Sequence, residues 1–434
     1  MQTFLHAHAM HPDWRIALAL AAAQLEAQAE TQRHELGDRA LAPTLGWVYL
    51  TDHYAAHTES LLAELRLRWP GVAWVGATGV GIAASGVEYF DEGALVLMLA
   101  AVPSTSFRVF SGARPLREFA THTALVHADP TTADLPELIR DMGRRTASGY
   151  LFGGLASARS ACRHIADAVL SGGLSGVAFD RSVALVSRVT QGCQPVGPTR
   201  EVTSADRNVV IELDGQPALD CLLRDVKLEG REPREALPRL RQILVGLSDV
   251  QNASPEAQLA PRSAEFAGST AHAAVRGAFG ADVRVRHLIG IDSGRRGIAI
   301  GDVAEPGTRL AFCSRNTEAA RRDLVRICAE VREEVEAEFE PAYEPRSPAP
   351  GRSDRIEAQT LPRPSGIAGA LYVSCAGRGG PHFGAASAEL ALVRHALGDV
   401  PLVGFFAAGE IAHQNLYGYT GVLTVFRHAA TLRG

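Results

Sequence analysis

The residues best suited to bind a small charged molecule lie in two short stretches near the C-terminus. Cys375 and Arg378 belong to the stretch SCAGRGGPH, which follows an apolar segment, and Glu410 follows a second apolar segment. The arginine guanidinium can form a planar fork with a carboxylate, while successive glycines can present backbone N–H groups to an anion. The glutamate offers an acceptor for an ammonium group. Together these residue types indicate a site for an amino acid or another small carboxylate.

We predict that both stretches line one pocket, because loops that follow strands of a rigid sheet can meet at the same edge. The residues assigned to this ligand-binding pocket are Cys375, Gly377, Arg378, Gly379, Gly404 and Glu410. The glycines would let the backbone approach the ligand closely. In the alternative interpretation, Arg378 and Glu410 pair with each other to close the loop, and Cys375 is a buried strand end.

A catalytic interpretation of the same stretch has less support. Cys375 would be the nucleophile, His382 or His413 the base, and Arg378 would lower the pKa of the thiol. However, no complete triad is recognisable, and the motifs G-x-S-x-G and H-E-x-x-H are absent from the sequence. A second cysteine, Cys193, has no histidine near it in sequence and is expected to be packed. We therefore assign no catalytic residue.

Closely spaced histidines near the N-terminus do not predict a metal site. His6, His8 and His11 have no carboxylate or cysteine at ligand spacing, so a polar strand face is the preferred interpretation. His53 and His57 are four residues apart beside acidic residues, which favours a solvated helix face. Neither a metal nor another cofactor is therefore expected.

Composition and charge exclude several classes of function. The net charge of −5 argues against a general nucleic-acid binder, which normally carries a basic surplus. The single lysine, Lys227, has no glycine-rich loop before it, so a P-loop is excluded. Six scattered cysteines without a Cys-x-x-Cys pair are typical of a reducing cytosol. The apolar residues 16–23 lack a preceding basic segment, which indicates a cytoplasmic protein without a signal peptide or membrane span.

An internal duplication predicts the elements that position the candidate site. Residues 46–51, 75–79 and 94–99 match residues 369–374, 403–407 and 422–427 in type and spacing. Each copy is predicted to contain a strand, a loop, a helix, a second strand and a hairpin strand. Residues 150–154 followed by 183–189 resemble a looser third copy.

The fold class predicted from this pattern is α+β. We expect two related halves, each with a mixed or antiparallel sheet and helices on one face, stacked as an α/β/β/α sandwich. The reason is that residues 94–99, 183–189 and 422–426 are mostly apolar and are expected to need cover on both faces. A Rossmann sheet fits less well, because a hairpin strand ends each repeat and residues 75–86 lack the G-x-G-x-x-G spacing.

The expected domain boundaries follow from the duplication and from composition. Residues 1–45 would form an N-terminal strand and helix joined to the first half, which spans 46–216, and the second half would span 217–426. Within the second half, the proline-rich and charged residues 341–365 contain little apolar material. We expect this segment to be a flexible insert.

Several motifs in order along the chain resemble FIST-domain proteins. GYLFGGLAS, GGLSGVAF and VTQGCQPVGPTREVT resemble the N-terminal FIST half, and ALYVSCAGRG and PLVGFFAAGEI resemble the C-terminal half. The resemblance covers about residues 46–426. At Tyr417 the chain departs from the family, in which many members have histidine, so no ligand role is carried over to this position.

The resemblance implies an intracellular sensory module that binds small ligands, including amino acids, and acts through a downstream signalling protein. FIST halves also occur joined to protein-recruiting modules, which makes a protein-interaction scaffold the alternative. An enzyme that uses Cys375 is a further alternative. Neither a nucleic acid nor a membrane is an expected partner.

Overall fold

The computed structural model describes residues 4–37, 41–228, 240, 243–248, 284–337 and 366–428. The expected flexible insert at 341–365 lies outside these residues. The predicted α+β class is confirmed, because helices pack on mixed sheets throughout the described chain. No helix in this part of the chain is long and apolar enough to cross a membrane.

Three repeats of one strand pattern form the main body of the protein. The first consists of β1 (Phe4–Met10), α1 (Trp14–Leu36), β2 (Leu45–Thr51), α2 (Thr58–Arg68), β3 (Ala73–Gly79), β4 (Gly81–Ala84), β5 (Val87–Phe90) and β6 (Ala94–Ala100). Strands β2 and β3 are parallel, and β6 lies antiparallel between β1 and β2. Asp13 caps α1, because its carboxylate accepts a hydrogen bond from the Arg15 N–H.

The second repeat has the same strand order with fewer helices. It consists of β7 (Phe107–Ser111), β8 (Thr123–Ala128), α3 (Leu135–Arg144), β9 (Tyr150–Leu155), β10 (His164–Ala166), β11 (Val169–Leu170) and β12 (Leu174–Phe179). Strands β8 and β9 are parallel, and β12 lies antiparallel between β7 and β8.

The third repeat begins with β13 (Leu185–Gln191) and is interrupted by a separate sheet before it resumes. The inserted elements are β14 (Cys193–Pro195), β15 (Arg200–Asp206), β16 (Val209–Leu213), β17 (Gln216–Pro217), α4 (Ala218–Asp225), β18 (Ile243–Ser248), β19 (Arg284–Asp292), β20 (Gly297–Ile300) and β21 (Arg309–Arg315). The repeat continues with α5 (Thr317–Ala337), β22 (Ile367–Cys375), α6 (Ala388–Leu397), β23 (Leu402–Ala407), β24 (Glu410–His413), β25 (Asn415–Tyr417) and β26 (Thr420–Arg427). Its parallel pair is β22 and β23, and β26 lies between β13 and β22.

Each repeat donates its hairpin to the sheet of a neighbouring repeat. The hairpin β4–β5 of the first repeat pairs with β23 of the third. The hairpin β10–β11 of the second pairs with β3 of the first, and β24–β25 of the third pairs with β9 of the second. The exchange is cyclic, so it ties the three six-stranded sheets together.

A glycine occupies the same position of the second parallel strand in every repeat. Gly76, Gly153 and Gly404 lie opposite Val48, Val126 and Tyr372, respectively. A Cβ atom at each glycine would overlap the carbonyl oxygen of the opposite residue. The shared glycine therefore reflects a close approach of two strands, and it marks the repeat in the sequence.

One hydrophobic core lies between the inner faces of the three sheets. It contains side chains from each repeat, including Tyr49, Phe152 and Phe405, all of which are buried. The outer faces are covered separately, by α1 and α2 on the first sheet, α3 on the second, and α5 and α6 on the third. This cover on both faces explains why β6 is apolar throughout and why β26 is buried along almost its whole length.

The predicted duplication is confirmed, and the arrangement of its copies differs from the expected two-sheet sandwich. Three related sheets surround the core because the second repeat is a full copy of the pattern. Its closing strand is 174–179, not the predicted 183–189. The segment 185–191 is instead the half-exposed edge strand of the third sheet. The sequence comparison missed this because a long insertion separates that edge strand from the rest of its repeat.

Candidate functional site

The predicted site lies at the carboxyl ends of the parallel strands β22 and β23. Cys375 is the last residue of β22 and pairs with Ala407 at the end of β23, and Glu410 begins the next strand. Arg378 and Glu410 are fully buried, whereas Gly377 is exposed. The structure therefore brings Cys375, Gly377, Arg378 and Glu410 to one place.

Arg378 forms its ion pair with Glu389, in the first turn of α6. Its Nη2 and Nε donate to Oε1 of Glu389 at 2.7 and 3.0 Å, and its Nη1 donates to the Thr190 carbonyl at 3.3 Å. Both side chains of the pair are at most 1% exposed. The alternative in which Arg378 pairs with Glu410 is therefore wrong. The guanidinium is therefore bound by other groups of the protein, and it holds the loop that follows β22 against α6.

Two hydroxyl groups complete the surroundings of the Glu389 carboxylate. Tyr372 Oη donates to Oε1 at 2.7 Å, and Ser374 Oγ donates to Oε2 at 3.0 Å. A buried ion pair is stable only when further hydrogen bonds satisfy its charges, and these hydroxyls meet that need. The face of the Phe383 ring lies 5.2 Å from the Arg378 guanidinium carbon. The loop is consequently held from several sides.

Glu410 carries a carboxyl oxygen that its surroundings do not satisfy. Oε2 accepts hydrogen bonds from the Thr420 N–H at 3.0 Å and the Thr420 hydroxyl at 2.7 Å. Oε1 is buried and accepts no hydrogen bond of ordinary geometry from the described residues. Burial raises the pKa of Glu410 to about 8, although Thr420, Arg378 and the nearby Cys375 thiol oppose the shift. The group is thus mostly an uncharged acid at neutral pH.

Cys375 is not poised as a nucleophile. Burial, followed by the nearby Glu410, raises the pKa of its thiol to about 12, against the smaller effects of the Gly377 and Tyr419 N–H groups and Arg378. A thiol with a raised pKa holds little of the reactive thiolate at neutral pH.

The histidines considered as bases for Cys375 have other partners. His382 bonds through Nε2 to the Tyr419 hydroxyl at 2.5 Å. His413 packs edge-on against the Tyr150 ring, with 4.7 Å between the ring centroids. Cys193 is buried, and burial raises the pKa of its thiol to about 12. The arrangement therefore does not favour thiol catalysis.

The glycines assigned to the site have different surroundings. A Cβ atom on Gly379 would overlap the Phe90 ring, and one on Gly404 would overlap the Tyr372 carbonyl. The space beside both glycines is therefore filled by other atoms of the protein. It is not available to a ligand, which was the role predicted for these glycines. At Gly377 the nearest atoms to an added Cβ are at 3.8 Å, which is ordinary contact. Of these glycines, Gly377 is the one that faces outwards.

Arg315 and Tyr419 complete this region, and the sequence analysis did not single them out. The exposed Arg315 guanidinium lies 4.6 Å from the centroid of the Tyr419 ring, and its Nη1 is one of the atoms nearest to Gly377. Within the described residues Arg315 forms no ion pair. Arg315 ends β21 of the inserted sheet, about 60 residues before Gly377 in sequence, so no local motif could connect them.

The described part of the chain shows no group of three or more histidine, cysteine or acidic residues that could hold a metal ion. Two open clefts, of about 790 and 510 Å³, lie elsewhere, where parallel strands begin. Cys375, Arg378 and Glu410 line neither of them. The residues of the predicted site therefore lie outside both clefts, in the region around Gly377.

Comparison with known proteins agrees with this architecture. The chain matches the FIST N domain over residues 44–216 and the FIST C domain over residues 218–413. It is 31% identical over 436 residues to the uncharacterized protein Rv0628c of Mycobacterium tuberculosis, covering 96% of this chain and 97% of the relative. It is also 31% identical over 437 residues to the uncharacterized protein Mb0898c of Mycobacterium bovis, covering 96% of each.

FIST domains are in general sensory domains of signal transduction. The two matches together cover most of the chain; β1 and α1 precede them, and β25 and β26 follow them. The chain therefore belongs to the FIST family and contains a FIST N domain followed by a FIST C domain.

Proposed function

We propose that this protein is a small-ligand sensor and that its ligand is an amino acid or a related small carboxylate bound around Gly377. The observation that carries the proposal is that a buried carboxyl group, Glu410, lies next to Cys375, while an exposed arginine, Arg315, lies next to Gly377 in the same loop. Apart from the nearby Cys375 thiol, Glu410 Oε1 has no hydrogen-bond donor among the described residues, and Arg315 forms no ion pair with them. These two groups have the chemistry to hold an ammonium group and a carboxylate.

The carboxylate of the ligand would bind Arg315 at the surface. A guanidinium can donate two parallel hydrogen bonds to a carboxylate, and this guanidinium lies over the Tyr419 ring, 4.6 Å from its centroid. Gly377 leaves room beside it, because nothing lies closer than 3.8 Å to the position of an added Cβ. This end of the site is open to solvent.

The ammonium group of the ligand would bind Glu410, which requires Cys375 to move aside. Cys375 is partly exposed and lies next to the Glu410 carboxyl. Because burial raises the pKa of Glu410 to about 8, the carboxyl is mostly protonated at pH 7 before binding. An arriving ammonium group favours the carboxylate, so binding would release a proton.

Arg378 has a positioning role in this proposal. Its ion pair with Glu389 holds the loop that carries Cys375 and Gly377. Arg315 comes from the inserted sheet and Glu410 from the third repeat, so a ligand bound to both would connect these two units. A downstream protein that recognises their joined arrangement is the partner expected for a sensory module.

The experiment is a thermal-shift screen with the standard amino acids and small carboxylates, followed by titration calorimetry of any ligand that raises the melting temperature. Calorimetry at pH 7 in two buffers of different ionisation enthalpy measures the proton release. We expect Arg315→Gln and Glu410→Gln to weaken binding, and Glu410→Gln to abolish proton release. Arg322→Gln, an exposed arginine on α5, is the matched control.

Three results would contradict the proposal. The first is the absence of a stabilising ligand in the whole panel. The second is an amino acid whose affinity and proton release are the same in Glu410→Gln as in the unmodified protein. A ligand that binds equally well to Arg315→Gln would place its carboxylate elsewhere and would remove Arg315 from the site.

A further inference from the structure

A second region of the molecule has the form of a binding site and is separate from the Gly377 region. An open cleft of about 510 Å³ lies between the edge strand β13 and the beginnings of β8 and β9. Its floor includes Phe152, Val183 and Leu185, which belong to or pack against the central core between the sheets. The cleft thus joins a polar rim to an apolar base, as small-molecule sites usually do.

The rim of this cleft is positively charged although the chain as a whole is acidic. Three arginines, Arg181, Arg188 and Arg427, line it with one carboxylate, Glu334. Glu334 already pairs with Arg188, which also contacts Glu330. Arg181 is exposed and forms no ion pair within the described residues. Arg181 is therefore the charged group on this rim that can attract an anion.

Hydroxyl groups line the interior of the cleft. Tyr150 Oη donates to Ser187 Oγ at 2.8 Å, and Ser187 Oγ lies 2.8 Å from Thr424 Oγ1. His122 also lines the cleft, and its Nδ1 is buried without a hydrogen-bond partner among the described residues. These groups provide polar contacts in addition to the arginine charge.

Aromatic rings form one wall. The His413 ring meets the Tyr150 ring edge-on at an interplanar angle of 77°. Both residues line the cleft, and Phe152 lies on the same side. Aromatic rings prefer offset or edge-to-face contacts with another ring, so this wall is suited to a flat apolar group.

We propose that this cleft binds a small organic carboxylate that carries a flat apolar ring. The carboxylate accepts hydrogen bonds from Arg181 and His122, and the ring packs against Tyr150 and the apolar floor at Phe152. The volume of the cleft falls within the range of about 300–1,000 Å³ that is usual for small-molecule sites. Neither Glu410 nor Arg315 lines this cleft, so this proposal can be tested separately from the proposed sensor site.

The preceding repeat contains an equivalent cleft with different chemistry. It lies between β7 and the beginnings of β2 and β3, and Ala73 and Asp167 line it. Ala73 and Tyr150 both lie three residues before the shared glycine, while Asp167 and His413 occupy equivalent hairpin turns with φ of 52° and 53°. The Tyr150–His413 pair therefore has no counterpart there, where Phe107 is the aromatic residue of the lining and a carboxylate takes the place of the imidazole. The same fold position thus provides an internal comparison, and we expect it not to bind the ring-bearing carboxylate.

The test is titration calorimetry with benzoate, together with hydrogen–deuterium exchange of the full chain. Benzoate is expected to bind saturably and to slow exchange in residues 148–152 and 185–188. Arg181→Gln should weaken binding about tenfold or more, the usual effect of losing one charge-assisted hydrogen bond. Arg181 is exposed, so this variant should fold normally. Arg140→Gln on the exposed face of α3 and Arg117→Gln in the other cleft are the matched controls and should bind normally.

Four results would overturn the proposal. They are the absence of saturable benzoate binding, equal binding by Arg181→Gln, protection of residues 107–118 instead of 148–152, and binding of inorganic phosphate as tightly as benzoate. The last result would describe a general anion site with no role for the aromatic wall. Loss of amino-acid binding in Arg315→Gln with benzoate binding intact would show that the two sites are distinct.

Discussion

Arg378 and Glu389 form a fully buried ion pair in which Nη2 and Oε1 are 2.7 Å apart. The pair joins the loop after β22 to the first turn of α6, and Tyr372 and Ser374 donate to the same carboxylate. A buried pair of this kind contributes little compared with apolar packing, but the removal of one member leaves an uncompensated charge. Its significance is therefore in the geometry that it imposes on the loop that carries Cys375 and Gly377.

The first prediction concerns this pair. Arg378→Ala should lower the free energy of unfolding by about 3–5 kcal/mol, because Glu389 would remain buried without its partner. Arg394→Ala is the control, since its ion pair with Asp399 is exposed and should contribute at most about 1 kcal/mol. Chemical denaturation without ligand measures both changes. A loss in Arg378→Ala as small as that in the control would show that the pair does not hold the loop.

Arg378→Lys refines the same prediction. Lysine retains the charge but cannot donate the two hydrogen bonds that Nε and Nη2 now make to Glu389 Oε1. The stability of the Arg378→Lys variant is expected to lie between the stability of the unmodified protein and that of Arg378→Ala. If Arg378→Lys and Arg378→Ala were equally unstable, the planar fork and not the charge would be the decisive feature.

The second prediction is a pH dependence that originates at Glu410. Burial raises the pKa of this carboxyl from its usual value of 4.5 to about 8, so the folded protein binds a proton there more tightly than the unfolded chain. The contribution of this group to stability is complete below about pH 4.5 and is lost as the pH rises towards 8, at up to about 1.4 kcal/mol per pH unit.

Glu410→Gln should remove this contribution to the slope while it keeps an acceptor for Thr420. The measurement is the free energy of unfolding of both proteins at several pH values between 4.5 and 8. Glu88, whose pKa burial raises to about 7, titrates in the same range, so the difference between the two proteins is the quantity to compare. Parallel curves would mean that Glu410 is ionised in the folded protein.

The third prediction is that Cys375 reacts slowly with alkylating agents. Burial and the neighbouring Glu410 raise the pKa of its thiol to about 12, so little thiolate is present at pH 7.5. Mass spectrometry of the native protein with iodoacetamide, with the unfolded chain as the reference, measures the rate. Alkylation in the native protein faster than in the unfolded chain would restore the catalytic interpretation.

Part of this architecture could be predicted from the sequence because the repeats share spacing. Gly76 and Gly404 lie at the same distance from their closing strands, so their two copies were recognisable. The loop after β22 and the beginning of β24 were correctly placed at one end of the sheet, because both follow parallel strands. The exchange of hairpins was not predictable, since the sequence of β4–β5 does not specify which sheet edge it joins.

The partners of the site residues were harder to predict than their location. Glu389 resembles an ordinary acidic residue in the first turn of an exposed helix, and only the tertiary packing turns it towards Arg378. Arg315 reaches Gly377 through an inserted sheet, and that contact leaves no periodic pattern in the sequence. The partners of charged residues that are distant in sequence could therefore be identified only from the fold.

The last prediction tests the close approach of strands at the repeated glycine. At Gly404 a Cβ atom would overlap the backbone carbonyl oxygen of Tyr372, and backbone cannot move without loss of ladder hydrogen bonds between β22 and β23. Gly404→Ala should therefore lower the melting temperature by several degrees or prevent folding. Gly377→Ala is the matched control: the nearest atoms would be at 3.8 Å, so its melting temperature should hardly change. Gly76 has the same relation to Val48, so Gly76→Ala should lower the melting temperature as Gly404→Ala does. If alanine were tolerated at both positions, the paired strands could separate without a loss of stability.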